Sequence, residues 1–153
     1  MPCFKNAQEI NEISLLDRAF HYGDGCFSTT RVRHGKIELE HLHMARLHLS
    51  CERLLLKADL SLIQKSLALL QQQFLEVNGT LKIIISRGEG QRGYSLPDHP
   101  SDVWVFFYPK VVEDFQVEKI KSGVLQQALG LTMPSLVGLK SLNRLEQVLL
   151  KNE

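Results

Sequence analysis

Hydrophobic and polar positions change their period several times along this chain, and each change marks an element. Residues 25–33, with Cys26, Phe27, Thr29, Thr30 and Val32, read as a strand. Arg33-His34-Gly35-Lys36 then predicts a tight turn into Ile37-Glu38-Leu39. From residue 40 to about residue 58 the period becomes helical, with Met44, Leu47, Cys51, Leu54, Leu55 and Ala58 on one apolar stripe. A second helix is predicted over 61–77, closed by Asn78-Gly79, residue types favoured at a helix C-terminus.

Residues 80–87 and 103–108 are β-branched and aromatic and read as strands, and 123–131 reads as a further one. The stretch 88–100, rich in Gly and Pro, is a loop by composition. A last helix is predicted to start near Ser141 or Asn143, where Asn143 and Glu146 have the spacing of a capping box. Strands, two helices, three strands and a helix, in that order, predict an α+β fold: a mostly antiparallel sheet covered by two helices.

Composition narrows the class without choosing a function. The 153 residues suffice for one ordinary domain with its own core, and 44% hydrophobic with 23% charged residues is usual for a globular protein. The formal charge of +1 provides no net field to attract nucleic acid or an anionic membrane. The longest apolar runs, such as Ile83-Ile84-Ile85, are far too short to span a bilayer. Met1-Pro2-Cys3-Phe4-Lys5 lacks the apolar centre of a signal peptide. Three cysteines, Cys3, Cys26 and Cys51, form no C-x-x-C pair, which argues against a disulfide framework or a zinc site. A reducing cytoplasm is the expected compartment.

Four motifs carry candidate chemistry. Gly88-x-Gly90-x-x-Gly93 matches the dinucleotide fingerprint, but that motif needs a helix N-terminus aimed at the pyrophosphate. Tyr94-Ser95-Leu96-Pro97 and Pro100 oppose a helix there, so a hairpin-like loop presenting Arg92 and Tyr94 is expected instead. His41, His43 and His48 lie two, five and seven residues apart, not the three or four that put two imidazoles on one helical face, so a metal site is not expected. Arg46, three residues after His43, reads first as a solvated side chain; its fork of donors would suit a phosphate if the helix borders a cleft. Lys140 is the only charge in the apolar, Gly-bearing run Pro134-Ser135-Leu136-Val137-Gly138-Leu139-Lys140. A loop lysine is ordinarily solvated; drawn out of water, its amine becomes a nucleophile toward carbonyls.

Three stretches taken together resemble one family. They are Asp17-Arg18-Ala19-Phe20-His21-Tyr22-Gly23-Asp24-Gly25-Cys26-Phe27, His43-x-x-Arg46-Leu47, and Gly138-Leu139-Lys140-Ser141-Leu142-Asn143-Arg144-Leu145-Glu146-Gln147-Val148-Leu149. In that order they resemble the class IV (fold type IV) pyridoxal-phosphate enzymes: branched-chain and D-amino-acid aminotransferases and aminodeoxychorismate lyases. Arg87-Gly88-x-Gly90-x-Arg92-Gly93-Tyr94-Ser95 and Leu142-Asn143-Arg144-Leu145-Glu146 look most like the bacterial lyases.

The resemblance implies that Lys140 carries the Schiff base to pyridoxal 5′-phosphate and that Arg46 grips the cofactor phosphate. Tyr22, Arg92 and Tyr94 would border the substrate side. The implied reaction converts 4-amino-4-deoxychorismate to 4-aminobenzoate and pyruvate, a step of folate synthesis; a class IV aminotransferase and a non-catalytic association module are the alternatives. A cytoplasmic homodimer acting on a small molecule is implied as well. Family members have two domains with the cofactor between them, the second bringing an acidic residue to the pyridine nitrogen. Residues 1–131 would form the N-terminal α+β domain and 132–153 the interdomain segment, with the C-terminal domain absent from this sequence. On that division the 153 residues alone are expected to have little or no lyase activity.

Overall fold

The computed structural model describes residues 1–111, 117, 119–123 and 134–151. Among the described residues six antiparallel strands form one sheet in the order β2-β1-β6-β5-β3-β4: β1 (Cys3–Lys5), β2 (Gln8–Glu9), β3 (Gly25–Arg33), β4 (Lys36–Ile37), β5 (Gly79–Ser86) and β6 (Asp102–Pro109). The helices are α1 (Arg18–Tyr22), α2 (Glu40–Arg53), α3 (Ser61–Gln73) and α4 (Leu145–Leu150), with a 3-10 turn at Pro134–Leu136. None is long and apolar enough to cross a membrane. The α+β reading holds: α2 and α3 cover one face of an antiparallel sheet.

Alternation builds the core. Leu81, Ile83 and Ile85 of β5 and Val103, Val105 and Phe107 of β6 all point to the covered face and are fully buried. Leu47 and Cys51 of α2 and Ile63, Leu67 and Leu70 of α3 meet them there. Alternate residues of β3, β5 and β6, among them Phe27, Lys82 and Phe106, populate the other face of the sheet. The predicted turn at His34-Gly35 is a two-residue hairpin loop with both residues at positive φ, which suits the twist between β3 and β4.

Several sequence expectations are corrected. The helix α2 ends at Arg53, five residues short of the predicted 58. The Arg87 guanidinium takes the carbonyls of Leu54 and Leu55, Leu55 turns to φ 54°, and its side chain is exposed. Leu54 and Ala58 still pack against the core, so the apolar stripe outlives the helix that it was taken to mark. The second helix α3 ends at Gln73 rather than at 77, and Phe74 turns extended to pack edge-on against Phe107. Asn78 does not cap α3: its side chain accepts from His34 N–H at 2.7 Å and so ties the hairpin turn to the start of β5, where Gly79 is the first residue. Asn143 does not cap the last helix, which starts at Leu145; its amide instead donates to Gly23 O at 3.1 Å. The short elements β1, β2 and α1 were not anticipated, and the strand expected over 123–131 falls almost wholly outside the described residues.

The burial map predicts opposite outcomes for two leucines. Leu70→Ala should destabilise the chain by about 2–5 kcal/mol, because a fully buried side chain leaves a cavity. Leu55→Ala, at an exposed position beyond α2, should change stability by less than about 0.5 kcal/mol. Urea unfolding followed by the single tryptophan, Trp104, reads both.

Candidate active site

The β4 strand pairs only with Val32 and Arg33, which leaves the first half of β3 with an open edge. The segment after the 3-10 turn fills it. Cys26 and Ser141 form an antiparallel bridge, flanked by Phe27 N–H donating to Lys140 O (2.9 Å) and Leu142 N–H donating to Gly25 O (3.0 Å). Gly25 permits this approach, since a Cβ there would lie 2.9 Å from Leu142 Cδ1 and 2.2 Å from the carbonyl oxygen of Ile85 in β5. The pairing sets Lys140 opposite Phe27, with the amine 4.4 Å from the ring centroid. Leu139 and Ser141, on either side of it, are buried.

The Lys140 amine is half-withdrawn from water, and its pKa is lowered, first by burial and then by the positive charges of Arg144 and Arg46. Arg46 itself is exposed on α2. Its charge reaches both Lys140 and His43. His43 is held below the ordinary histidine range, chiefly by burial, and its Nδ1 lies 2.8 Å from the Oγ of buried Ser28. The imidazole is therefore a neutral, fixed group beside the guanidinium. His41 and His48 are exposed, and among the described residues no group of three His, Cys, Asp or Glu could hold a metal.

A second wall stands at the N-terminal end of β3. Asp17 opens α1 by accepting from Ala19 N–H at 2.8 Å and also accepts from Ser86 Oγ. Gly23 closes the helix. The Tyr22 hydroxyl accepts from Gly93 N–H at 3.1 Å, its ring lies 5.8 Å from that of Tyr94, and the Arg18 guanidinium covers its face at 4.8 Å. Tyr94 is exposed, and so is Arg92. The structure thus brings Tyr22 and Tyr94 together, and Lys140 within the field of Arg46. Asn143 on Gly23, with Leu142 on Gly25, joins the two walls. The Gly88-x-Gly90-x-x-Gly93 stretch is a loop with no helix after it, and Gly90 N–H donates to Leu16 O.

Sequence reasoning assigned no role to the ionic cluster beneath this wall. Arg87 Nε donates to both Asp24 carboxylate oxygens (2.9 and 2.8 Å), and Arg18 Nε donates to Oδ2 at 2.9 Å. Arg18 also reaches Gly93 O at 2.9 Å. Burial alone would raise the Asp24 pKa, but the bonds from Arg87 and Arg18 outweigh it and hold the carboxyl below its usual range. One signal was present: a cation directly after the apolar strand Ile83-Ile84-Ile85-Ser86 must be paired if it is buried.

Residues 25–153 match the family model for class IV aminotransferases. The chain belongs to that family. Over 144 residues it is 34% identical to aminodeoxychorismate lyase of Vibrio harveyi, an alignment covering 92% of this chain and 52% of that one. The crystal structure of 4-amino-4-deoxychorismate lyase from Pseudomonas aeruginosa superimposes with a TM-score of 0.76 at 31% identity, covering 99% of this chain and 56% of that chain. A putative lyase of the same name from Legionella pneumophila gives 0.66 at 25% identity, over 92% and 51% of the two chains. The chain spans about half the length of these class IV relatives. The resemblance read from the motifs is therefore correct at the level of family and fold.

The Asp24 cluster predicts a pH-dependent loss. A carboxylate with a depressed folded pKa adds stability above its unfolded pKa, and that stability fades as pH falls through the folded value. Asp24→Asn should cost about 3–5 kcal/mol at pH 7, where it strands two buried guanidinium groups. Parent and variant should converge as the pH drops below about 4. Urea unfolding at both pH values checks it; a gap that does not depend on pH would be inconsistent with this account.

Proposed function

We propose that these residues form the cofactor-lysine half of an aminodeoxychorismate lyase, with Lys140 as the attachment point for pyridoxal 5′-phosphate. The observation that carries the reading is the state of the Lys140 amine: partly buried, facing an aromatic ring, and influenced by two guanidinium groups. Such an amine suits a phosphorylated aldehyde, because it gives up its proton more readily than a solvated lysine and an anion is welcome nearby. Identity to two lyases on either side of one third favours the lyase over the aminotransferase alternative.

In this reading Arg46 holds the phosphate through its fork of donors, and neutral His43, fixed by Ser28, keeps a second positive charge away from that spot. When bound, pyridoxal phosphate supplies an electron sink. Lys140 Nζ would hold the cofactor through its aldehyde, and the same amine would accept the proton from the carbon bearing the substrate's amino group. Tyr22, Tyr94 and Arg92 line the substrate side, where Arg92 offers a cation to a carboxylate. The overall change, 4-amino-4-deoxychorismate to 4-aminobenzoate and pyruvate, needs no other reactant. We assign residues 1–131 to the N-terminal domain and 132–153 to the interdomain segment, and a C-terminal half to the acidic partner of the pyridine nitrogen. On that assignment these 153 residues alone should turn over little substrate.

Incubation with pyridoxal phosphate, borohydride reduction and peptide mass spectrometry should find the adduct at Lys140, and Lys140→Ala should lose it. Arg46→Ala should weaken cofactor binding by roughly tenfold or more, the effect of losing a charge-assisted bond. Trapping should still be selective for Lys140 near neutral pH, where ordinary lysines are protonated. Random labelling of surface lysines, or rapid 4-aminobenzoate formation by these residues alone, would contradict the assignment.

A further inference from the structure

The segment carrying Lys140 is held by guanidinium groups at alternate carbonyls. Arg53, at the end of α2, donates to Ser135 O (2.8 Å) and Val137 O (2.9 Å). Arg144 donates through Nε to Ser141 O and through Nη2 to Leu139 O, both at 3.0 Å, so its fork spans the lysine from either side. The same guanidinium lies 5.5 Å from the centroid of the Phe27 ring that Lys140 faces at 4.4 Å. We propose that Arg144 is a positioning residue for Lys140, which locks the lysine-bearing segment to the edge of β3 and sets a second positive charge beside the amine across one aromatic ring.

Two like charges brought near one ring need a reason to stay, and the backbone supplies it. The planar fork of arginine can bridge two carbonyls, whereas an ammonium cannot present two parallel donors in that way. The Phe27 quadrupole attracts both cations and so lowers the cost of their proximity. Charged groups reach this place from each neighbouring element: Arg144 from the start of α4, Arg46 from α2, and Lys82 from β5, 5.7 Å from the same ring centroid. Those with a resolved influence on Lys140 are Arg144 and then Arg46, both after burial, and both favour the free amine. The proposal deepens the reading of Lys140 as the reactive amine, but the ionisation of that amine can be measured with no cofactor present.

The test is competitive acetylation of the full chain with acetic anhydride from about pH 6 to about pH 11, read by peptide mass spectrometry, with exposed Lys65 as internal reference. In the parent, the Lys140 midpoint should fall below that of Lys65 and rise with added KCl as the guanidinium charges are screened. Arg144→Met should raise the midpoint, cut Lys140 labelling at neutral pH on the order of threefold, and weaken the salt response. Arg144→Lys should keep most of the charge effect but speed hydrogen exchange at the amides of Phe27 and Leu142, which close the edge pairing. A Lys140 midpoint equal to that of Lys65 in the parent, or unmoved in a folded Arg144→Met, overturns the proposal. Failure of pyridoxal phosphate to attach while these shifts are seen would count against the lyase reading alone.

Discussion

Two backbone hydrogen bonds decide where Lys140 lies. Phe27 N–H to Lys140 O and Leu142 N–H to Gly25 O join a stretch from the far end of the chain to the open half of β3. The lysine side of the site follows from that junction. It puts Lys140 opposite Phe27, buries Leu139 and Ser141, and brings Asn143 against the cap of α1. The edge is available because β4 is only two residues long, and it is approachable because residue 25 has no side chain.

The buried ion cluster does the corresponding work for the opposite wall. Asp24 lies between Arg18 and Arg87, and each arginine spends its remaining donors on main-chain carbonyls of another element. Arg87 thereby ends α2, and Arg18 holds the loop that presents Tyr94. Charges used in this way fix geometry more than they add stability, since desolvation consumes most of what the attraction gives. The same residue type serves at Arg53 and Arg144, where planar forks hold irregular backbone that no strand or helix would satisfy.

Much of this was legible in the sequence, and the failures have physical causes. The bounds of β3 were readable because apolar positions ran between a glycine and a charged turn. Both long helices were read too far because burial periodicity continues after the helical hydrogen bonds stop: Leu54, Ala58, Phe74 and Val77 pack from irregular chain. Three-residue β1 and five-residue α1 contain too few positions to show any period. Asn78 and Asn143 both have the local pattern of a cap, and both instead bind backbone far away in sequence, which no local pattern can reveal. Chemistry and motif single out Lys140 and Arg46 in the sequence; the electrostatic influence of one on the other needs coordinates.

The lysine's position beside β3 also restricts how this domain can vary. Side chains alternate between the two faces of a sheet, so slipping the pairing with β3 by one residue would turn the amine toward the helices and away from Phe27. Spacing, more than side-chain identity, is what this segment must preserve. Drift in Leu139 or Leu142 to another apolar type keeps the amine where it is. A slip of register there would displace the amine with every letter intact.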